Sequence, residues 1–384
     1  MDFEFNEEQR FLSNAAKKMY ERQIEPLMKS YDKDKPLPKE AVLKVIKMLK
    51  QFGVEGARLP AEDGGTGLGA VGLGIVCEQV SFDIFLGACL LDLIGLRISL
   101  GGSPEVKQKF LPRFQSGEYV IASAISEPNV GSDPTGIETK AVLEGDHYII
   151  NGTKMWSSYG DICDMAFVVV SLGRDARGKN LLTRIMVDKE ESLFETRHTE
   201  LMGLRQGHVG EIVFQDCRVP KENLVGGVGD AHGNIQASWI SQRPIEGLGS
   251  KQVAQRALDL SIAYAKERVQ FGKPIAGFQL ISTMLAEMYT MVEAARLLCF
   301  QAISLAEKGV WCAKEAGIAK WFSNDMAVKV TSMAVSIHGA MGVATECEVE
   351  QLYRDARVLT FPAAAIEIEK LIVGRDLTGI SAIR

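Results

Sequence analysis

Residues 353–375 read Tyr-Arg-Asp-Ala-Arg-Val-Leu-Thr-Phe-Pro-Ala-Ala-Ala-Ile-Glu-Ile-Glu-Lys-Leu-Ile-Val-Gly-Arg: a charged helical end, a Pro-Ala loop and a second amphipathic run. The same 3.6-residue period extends upstream, through runs near 231–268, 278–308, 311–343 and 348–356, with the last near 365–375. Such a series predicts a helical bundle. Before Gly226-Gly227-Val228-Gly229 the period is 2. Residues 119–125, 140–143, 147–151, 166–172, 183–187 and 211–214 are short, β-branched and turn-bounded, as in a small antiparallel barrel or sandwich. Residues 1–117 read as helices again. Asn6 serves as an N-cap, and two apolar helices follow near 69–82 and 84–100. Ser103-Pro104-Glu105 then starts another helix through Phe114. The expected fold class is α+β: an N-terminal helical domain (1–117), a middle antiparallel β-domain (118–228) and a C-terminal helical bundle (229–384).

A chain of 384 residues can bury a large core. Its net charge of −6 argues against a nucleic-acid or anionic-membrane partner, which needs a concentrated basic surface. No signal peptide is visible, and no stretch reads as a membrane span of roughly 20 apolar residues. The seven cysteines form no CxxC pair, as expected of reduced thiols in a cytoplasm. His147, His198, His208, His232 and His338 lack metal-ligand spacing, so no metal is expected.

Four motifs carry the chemistry. Ser126-Glu127-Pro128-Asn129-Val130-Gly131-Ser132-Asp133 is a tight Pro/Gly loop with hydroxyl donors, and Trp156-Ser157-Ser158 follows it. Arg268-Val269-Gln270-Phe271-Gly272 presents a guanidinium fork suited to a diphosphate. Ser336-Ile337-His338-Gly339-Ala340-Met341-Gly342 keeps glycines for close backbone approach. Together with the Arg-Asp-Ala-Arg stretch, these resemble, in order, the signatures of the FAD-dependent acyl-CoA dehydrogenases. The resemblance implies flavin contacts from Ile125, Ser126, Ser132, Trp156 and Ser158. It also implies contacts to the rest of the FAD from Arg268, Gln270, Phe271, Ser336, Gly339 and Ala340. Three substitutions depart from the pattern: Ser126 stands for Thr, Ser336 for Gln and Ala340 for a second Gly. Because the Arg268 motif completes a neighbouring subunit's site in that family, a homotetramer is implied. So are an acyl-CoA thioester substrate and an electron-transfer flavoprotein as acceptor.

The resemblance also exposes a gap. The family's loop usually reads Tyr-Glu-Gly-Thr, and its Glu removes the substrate's α-proton. Here that position is Ala363, and a second known position for the Glu is Gln242. Neither side chain can take a proton. Asp92, alone in the uncharged run 86–96 of a helix that lines the family's acyl pocket, is the first candidate for the base. A carboxylate enclosed by apolar groups holds its proton more tightly and is a stronger base once ionised. Glu246, one turn beyond Gln242, is the second candidate, and Glu367 reads as a helix-start acid. Ser132, Gln242, Arg243 and Ala363 are expected along the substrate.

Loss of the α-proton base with an Asp on the pocket helix resembles the cyclohex-1-ene-1-carboxyl-CoA dehydrogenases. Their substrate has an sp2 C1 with no α-proton, and the thioester acidifies C3 through the double bond. A 1,4-elimination, C3 proton and C6 hydride, gives the 1,5-diene. Two further readings stay open: a cyclohexane-1-carboxyl-CoA dehydrogenase or enoyl-CoA reductase of the same fold, and a non-catalytic flavoprotein subunit.

Overall fold

The computed structural model describes residues 4–231 and 233–382. The N-terminal part holds α1 (Glu7–Met19), α2 (Glu25–Lys29), α3 (Lys39–Lys50), α4 (Gly69–Cys77), α5 (Phe82–Gly101) and α6 (Pro104–Ser116). Asn6 caps α1 as expected: its side chain accepts from Gln9 N at 2.9 Å, and the Gln9 side chain accepts from Asn6 N at 3.1 Å. Ser103 caps α6 through Val106 N.

The middle part is β1 (Ile121–Ala124), β2 (Lys140–Glu144), β3 (His147–Ser158), β4 (Met165–Arg174), β5 (Asn180–Asp188), β6 (Glu195–His198), β7 (Val209–Pro220) and β8 (Leu224–Val225). They form one sheet in the order β6-β7-β3-β2-β4-β5-β8, with β1 attached to β4. Most pairings are antiparallel, while β1 and β2 each meet β4 in parallel. The strand β3 runs well past the 147–151 expected from its pattern. The positive φ of Gly152 (147°) and register shifts at Ile150/Gly152 and Lys154/Ser157 break the alternation that a sequence reading relies on. β4 reads as an unbroken apolar run because both of its faces are covered. Val168 and Val170 join the core of the β-domain, while Met165 and Phe167 join the large helical core.

The C-terminal part is α7 (Gly233–Glu267), a hairpin of β9 (Val269–Gln270) and β10 (Lys273–Pro274), α8 (Gln279–Glu307), α9 (Ala313–His338), α10 (Glu348–Val358) and α11 (Ile366–Thr378). α5 and α7 belong to the same apolar core, which joins the two helical parts. Pro244 lies inside α7 and removes one helical N–H in the turn that carries Gln242 and Arg243.

Contrary to the sequence reading, two helical segments are long and apolar enough to cross a membrane by length and composition. One is Phe82–Gly101, with mean hydropathy 1.9 and 72% of that window buried; the other is Ala313–Val343. Burial in the core accounts for the first.

The loop between β6 and β7 docks on α10. Leu204 N donates to Asp355 Oδ1 at 2.5 Å, and Arg354 Nη1 donates to Met202 O at 2.6 Å. A Cβ at Gly203 would lie 2.5 Å from the Arg354 carbonyl carbon and 2.6 Å from Asp355 N, both backbone atoms. Gly203→Ala is therefore expected to cost about 1–3 kcal/mol, read as a lower midpoint in chemical denaturation.

Candidate active site

Asp92 sits in the middle of α5 and is fully buried. It does not face solvent, and it is not the solitary carboxylate that the uncharged run suggested. Arg58, in the turn before Pro60, supplies two donors. Its backbone N lies 2.8 Å from Oδ1 and its Nε 2.5 Å from Oδ2. The same guanidinium reaches across to α7, donating to Ser241 Oγ at 2.9 Å and to Gln242 Oε1 at 3.1 Å. Sequence reasoning missed Arg58. A lone Asp inside a buried helix demands a cation, yet nothing in the chain says which of many arginines answers.

Gln242 is buried beside Cys89 of α5, and its Nε2 lies 3.4 Å from Glu246 Oε1. Glu246 is buried as well, and its Oε2 has no hydrogen-bond partner among the described residues. Burial pushes its carboxyl up to about 7, with the nearby Glu369 adding to the effect and Lys320 and Arg243 opposing it. The structure thus brings Asp92, Gln242 and Glu246 to one seam between α5 and α7.

Behind Glu246 lies a second group that the sequence did not reveal. Glu369 of α11 is fully buried, 3.0 Å from Arg243 Nε and 3.9 Å from Lys320 Nζ. Burial raises the Glu369 carboxyl and lowers the Lys320 ammonium. Lys320 Nζ also donates to Ala364 O at 2.6 Å, tying the 361–365 loop to α9. In that loop Ala363 (φ 52°) and Ala364 (φ 89°) are both left-handed, a region that disfavours any residue with a Cβ. Glu367, by contrast, is exposed in the first turn of α11, as a helix-start acid should be.

Beneath the seam two guanidiniums meet the sheet. Arg97 of α5 donates to Ser238 Oγ and Ser123 Oγ, with its Cζ 4.8 Å from the Trp239 ring centroid and 5.7 Å from that of Phe167. Its Nη2 has no acceptor among the described residues, nor have Nε and Nη1 of the buried Arg184. Burial first, and Arg184 second, lower the Arg97 guanidinium to about 9.

The expected flavin contacts fall into two groups in different domains. In the first, Met155 N donates to Ser126 O at 2.9 Å, which sets Ser126 beside Trp156. The buried Lys154 fixes this corner by donating to Ile125 O and to Glu127 Oε1. Glu127 in turn accepts from Glu138 N and Thr139 N. Burial alone would raise the Glu127 carboxyl, but these donors hold it below its ordinary value. Trp156 is 54% exposed with φ 61°; Ser132 is exposed and Ser158 half-buried. In the second group, Phe271 at the tip of the β9–β10 hairpin is 93% exposed, next to Arg268 and Gln270. Ser336, Gly339 and Ala340 are exposed at the end of α9, where the His338 ring stacks on Tyr264 of α7 at 4.3 Å. Two uncovered aromatic rings beside hydroxyls and an exposed guanidinium fork suit a flavin dinucleotide.

Comparison with known proteins follows this geometry. Residues 6–118, 122–217 and 238–378 match the family described as acyl-CoA dehydrogenase, as its N-terminal, middle and C-terminal domains. A curated relative, the caffeyl-CoA reductase-Etf complex subunit CarC of Acetobacterium woodii, is 32% identical, over 96% of this chain and 98% of its own. Butyryl-CoA dehydrogenase from Megasphaera elsdenii superposes with a TM-score of 0.91 at 27% identity, covering 98% of this chain and 100% of that one. The acyl-CoA dehydrogenase complexed with FAD from Bacillus anthracis gives 0.86 at 27% identity, over 97% and 67%.

Two outcomes follow from the buried charges. Asp92→Asn leaves the Arg58 charge without its counter-ion and is expected to cost about 3–5 kcal/mol. The double replacement Asp92→Leu with Arg58→Met should cost less than that single change in urea denaturation. The second concerns Glu246, whose folded value of about 7 lies above the ordinary 4.5. Between these values the folded state keeps a proton that the unfolded chain has lost. This contribution is fully present below about pH 4.5 and is lost as pH rises to about 7. Relative to wild type, Glu246→Gln should therefore gain up to about 3 kcal/mol across that window, measured as denaturation midpoints at pH 5 and pH 8.

Proposed function

The chain belongs to the acyl-CoA dehydrogenase family, oxidoreductases acting on CH–CH bonds with FAD, and on that premise we propose that it dehydrogenates cyclohex-1-ene-1-carboxyl-CoA to the 1,5-diene. The observation that carries this reading is the pairing of Ala363 with the enclosed Asp92. The position that attacks an α-proton holds a methyl group, while a buried carboxylate stands elsewhere on the seam. A 1-ene substrate has no α-proton, so nothing is lost by an alanine there.

In this reading Asp92 takes the C3 proton, which is acidic because the resulting anion is conjugated with the thioester. Arg58 occupies one lone-pair direction on each Asp92 oxygen and leaves the others able to accept a proton. It thereby holds the base in one orientation, with Gln242 locked beside it. Loss of a proton from C3 and a hydride from C6 leaves double bonds at C2–C3 and C1–C6, the cyclohexa-1,5-diene-1-carboxyl ester. FAD supplies the hydride acceptor when bound. Ile125, Ser126, Ser132, Trp156 and Ser158 would hold its ring from one chain. Arg268, Gln270, Phe271, Ser336, Gly339 and Ala340 would complete the site from a neighbour in a homotetramer. Ser132, Gln242, Arg243 and Ala363 would line the thioester. Glu246, titrating near neutrality with a free oxygen, is the second base within reach of the seam.

Electron-transfer flavoprotein is the acceptor this reading implies, and the caffeyl-CoA reductase-Etf relative supports it. That relative also favours a second reading, reduction of an unsaturated thioester at the same residues. The seven free cysteines fit a cytoplasmic site of action.

The test is an anaerobic titration of the flavin-loaded protein with the cyclic 1-ene thioester, following flavin absorbance. Wild type should bleach, and Asp92→Asn should bleach at least about 100-fold more slowly. Ready bleaching by a straight-chain saturated acyl-CoA would reveal an α-proton base and sink the reading. Unchanged bleaching in Asp92→Asn, with loss in Glu246→Gln, would transfer the role to Glu246.

A further inference from the structure

At the far end of the β-domain, three side chains that sequence spacing kept apart meet at one point. Asp161 lies in the turn after β3, His198 ends β6, and His208 immediately precedes β7. Nδ1 of His198 and Nδ1 of His208 each lie 2.8 Å from the same oxygen, Asp161 Oδ2. All three ligand atoms fall within 4.8 Å of one another. The sequence reading of unrelated histidines is corrected for this pair by the fold; His232 lies outside the described residues.

The backbone is built for this meeting. His198 pairs with Gly210 across β6 and β7. A Cβ at Gly210 would stand 2.5 Å from Arg197 O and 2.6 Å from Asp161 N, so only glycine lets these segments close up. The His208 ring is also fixed from behind: its Nε2 lies 2.8 Å from Leu37 O, in the segment between α2 and α3. Its ring centroid lies 5.6 Å from that of Tyr159, tilted by 33°, and Tyr159 N donates to His208 O.

Both ring nitrogens of His208 therefore face oxygen acceptors. A neutral imidazole has one N–H and can satisfy only one of them. With that hydrogen on Nε2, held by Leu37 O, the Nδ1 lone pair points at the cluster. This is the arrangement of a metal-ligating histidine, oriented by a backbone carbonyl.

We propose that Asp161 Oδ2, His198 Nδ1 and His208 Nδ1 form a zinc site, with water as the fourth ligand. Zinc takes nitrogen and carboxylate oxygen at about 2.0–2.2 Å in tetrahedral geometry, which sets ligand atoms about 3.3 Å apart. The two 2.8 Å separations need to open by only about half an ångström. Asp161 and His208 are enclosed, whereas the His198 side chain is 39% exposed and lines a surface cleft with Asp34, Glu200 and Arg205. Solvent reaches the cluster by that side. The ion would staple the β6–β7 end of the sheet and, through His208 and Leu37, the loop ahead of α3.

The experiment uses the flavin-loaded enzyme, stripped of metal with a chelator and dialysed against Zn2+, with metal content and melting temperature as readouts. Co2+ in place of Zn2+ reports tetrahedral coordination by its visible absorption. Wild type should take up about one zinc per chain and melt higher with it. Binding should weaken at least about tenfold in His198→Ala, whose exposed side chain is not needed for folding, and in Asp161→Asn. His147→Ala, on β3 away from the cluster, should bind as wild type. Absence of stoichiometric zinc would overturn the proposal, and so would equal uptake by His198→Ala, which would mark adventitious surface zinc only.

Discussion

A buried charge answered, among the described residues, by one arginine organises the seam of this protein. Asp92 lies inside a 20-residue apolar helix, where an unpaired carboxylate would cost several kcal/mol. Arg58 removes that cost and then spends its remaining donors on Ser241 and Gln242. One guanidinium thus fixes the distance between the turn at residue 58, α5 and α7. The seam is held by directional bonds where close packing alone would permit sliding.

The same logic recurs one layer deeper. Glu246, Arg243, Lys320 and Glu369 come from α7, α9 and α11, and all are buried or nearly so. Glu369 is met by ion pairs with Arg243 and Lys320, while Glu246 Oε2 has no hydrogen-bond partner among the described residues. Burial holds the Glu246 carboxyl up at about 7, where it can exchange a proton. Lys320 links this layer to Ala364 O, so the loop with left-handed Ala363 and Ala364 is anchored by the same network.

The β-domain meets the helices through apolar side chains and buried arginines. Phe167 and Met186 join the large core, while Arg97 and Arg184 bring six guanidinium nitrogens between them, three without acceptors among the described residues. Ser126 and Trp156 stand at the edge of this face, pinned by Lys154 and Glu127. Ser126 and Trp156 therefore rest on a hydrogen-bonded corner, and the Trp156 ring is left 54% exposed.

The chain's own pattern determined the α+β class, the helix caps at Asn6 and Ser103, and the order helical, β, helical, because these rest on local periodicity and capping. It also singled out Asp92 and Glu246, since a lone acid in an apolar run and an acid one turn from Gln242 are visible in one dimension. What it could not supply were partners. Arg58 is 34 residues from Asp92, Lys320 is 74 from Glu246, and His198 and His208 meet through Asp161. Burial cost acts on three-dimensional neighbours, so only the folded chain decides which cation answers which carboxylate. Likewise β3 outran its pattern because bulges shift its register, a property of strand pairing rather than of composition.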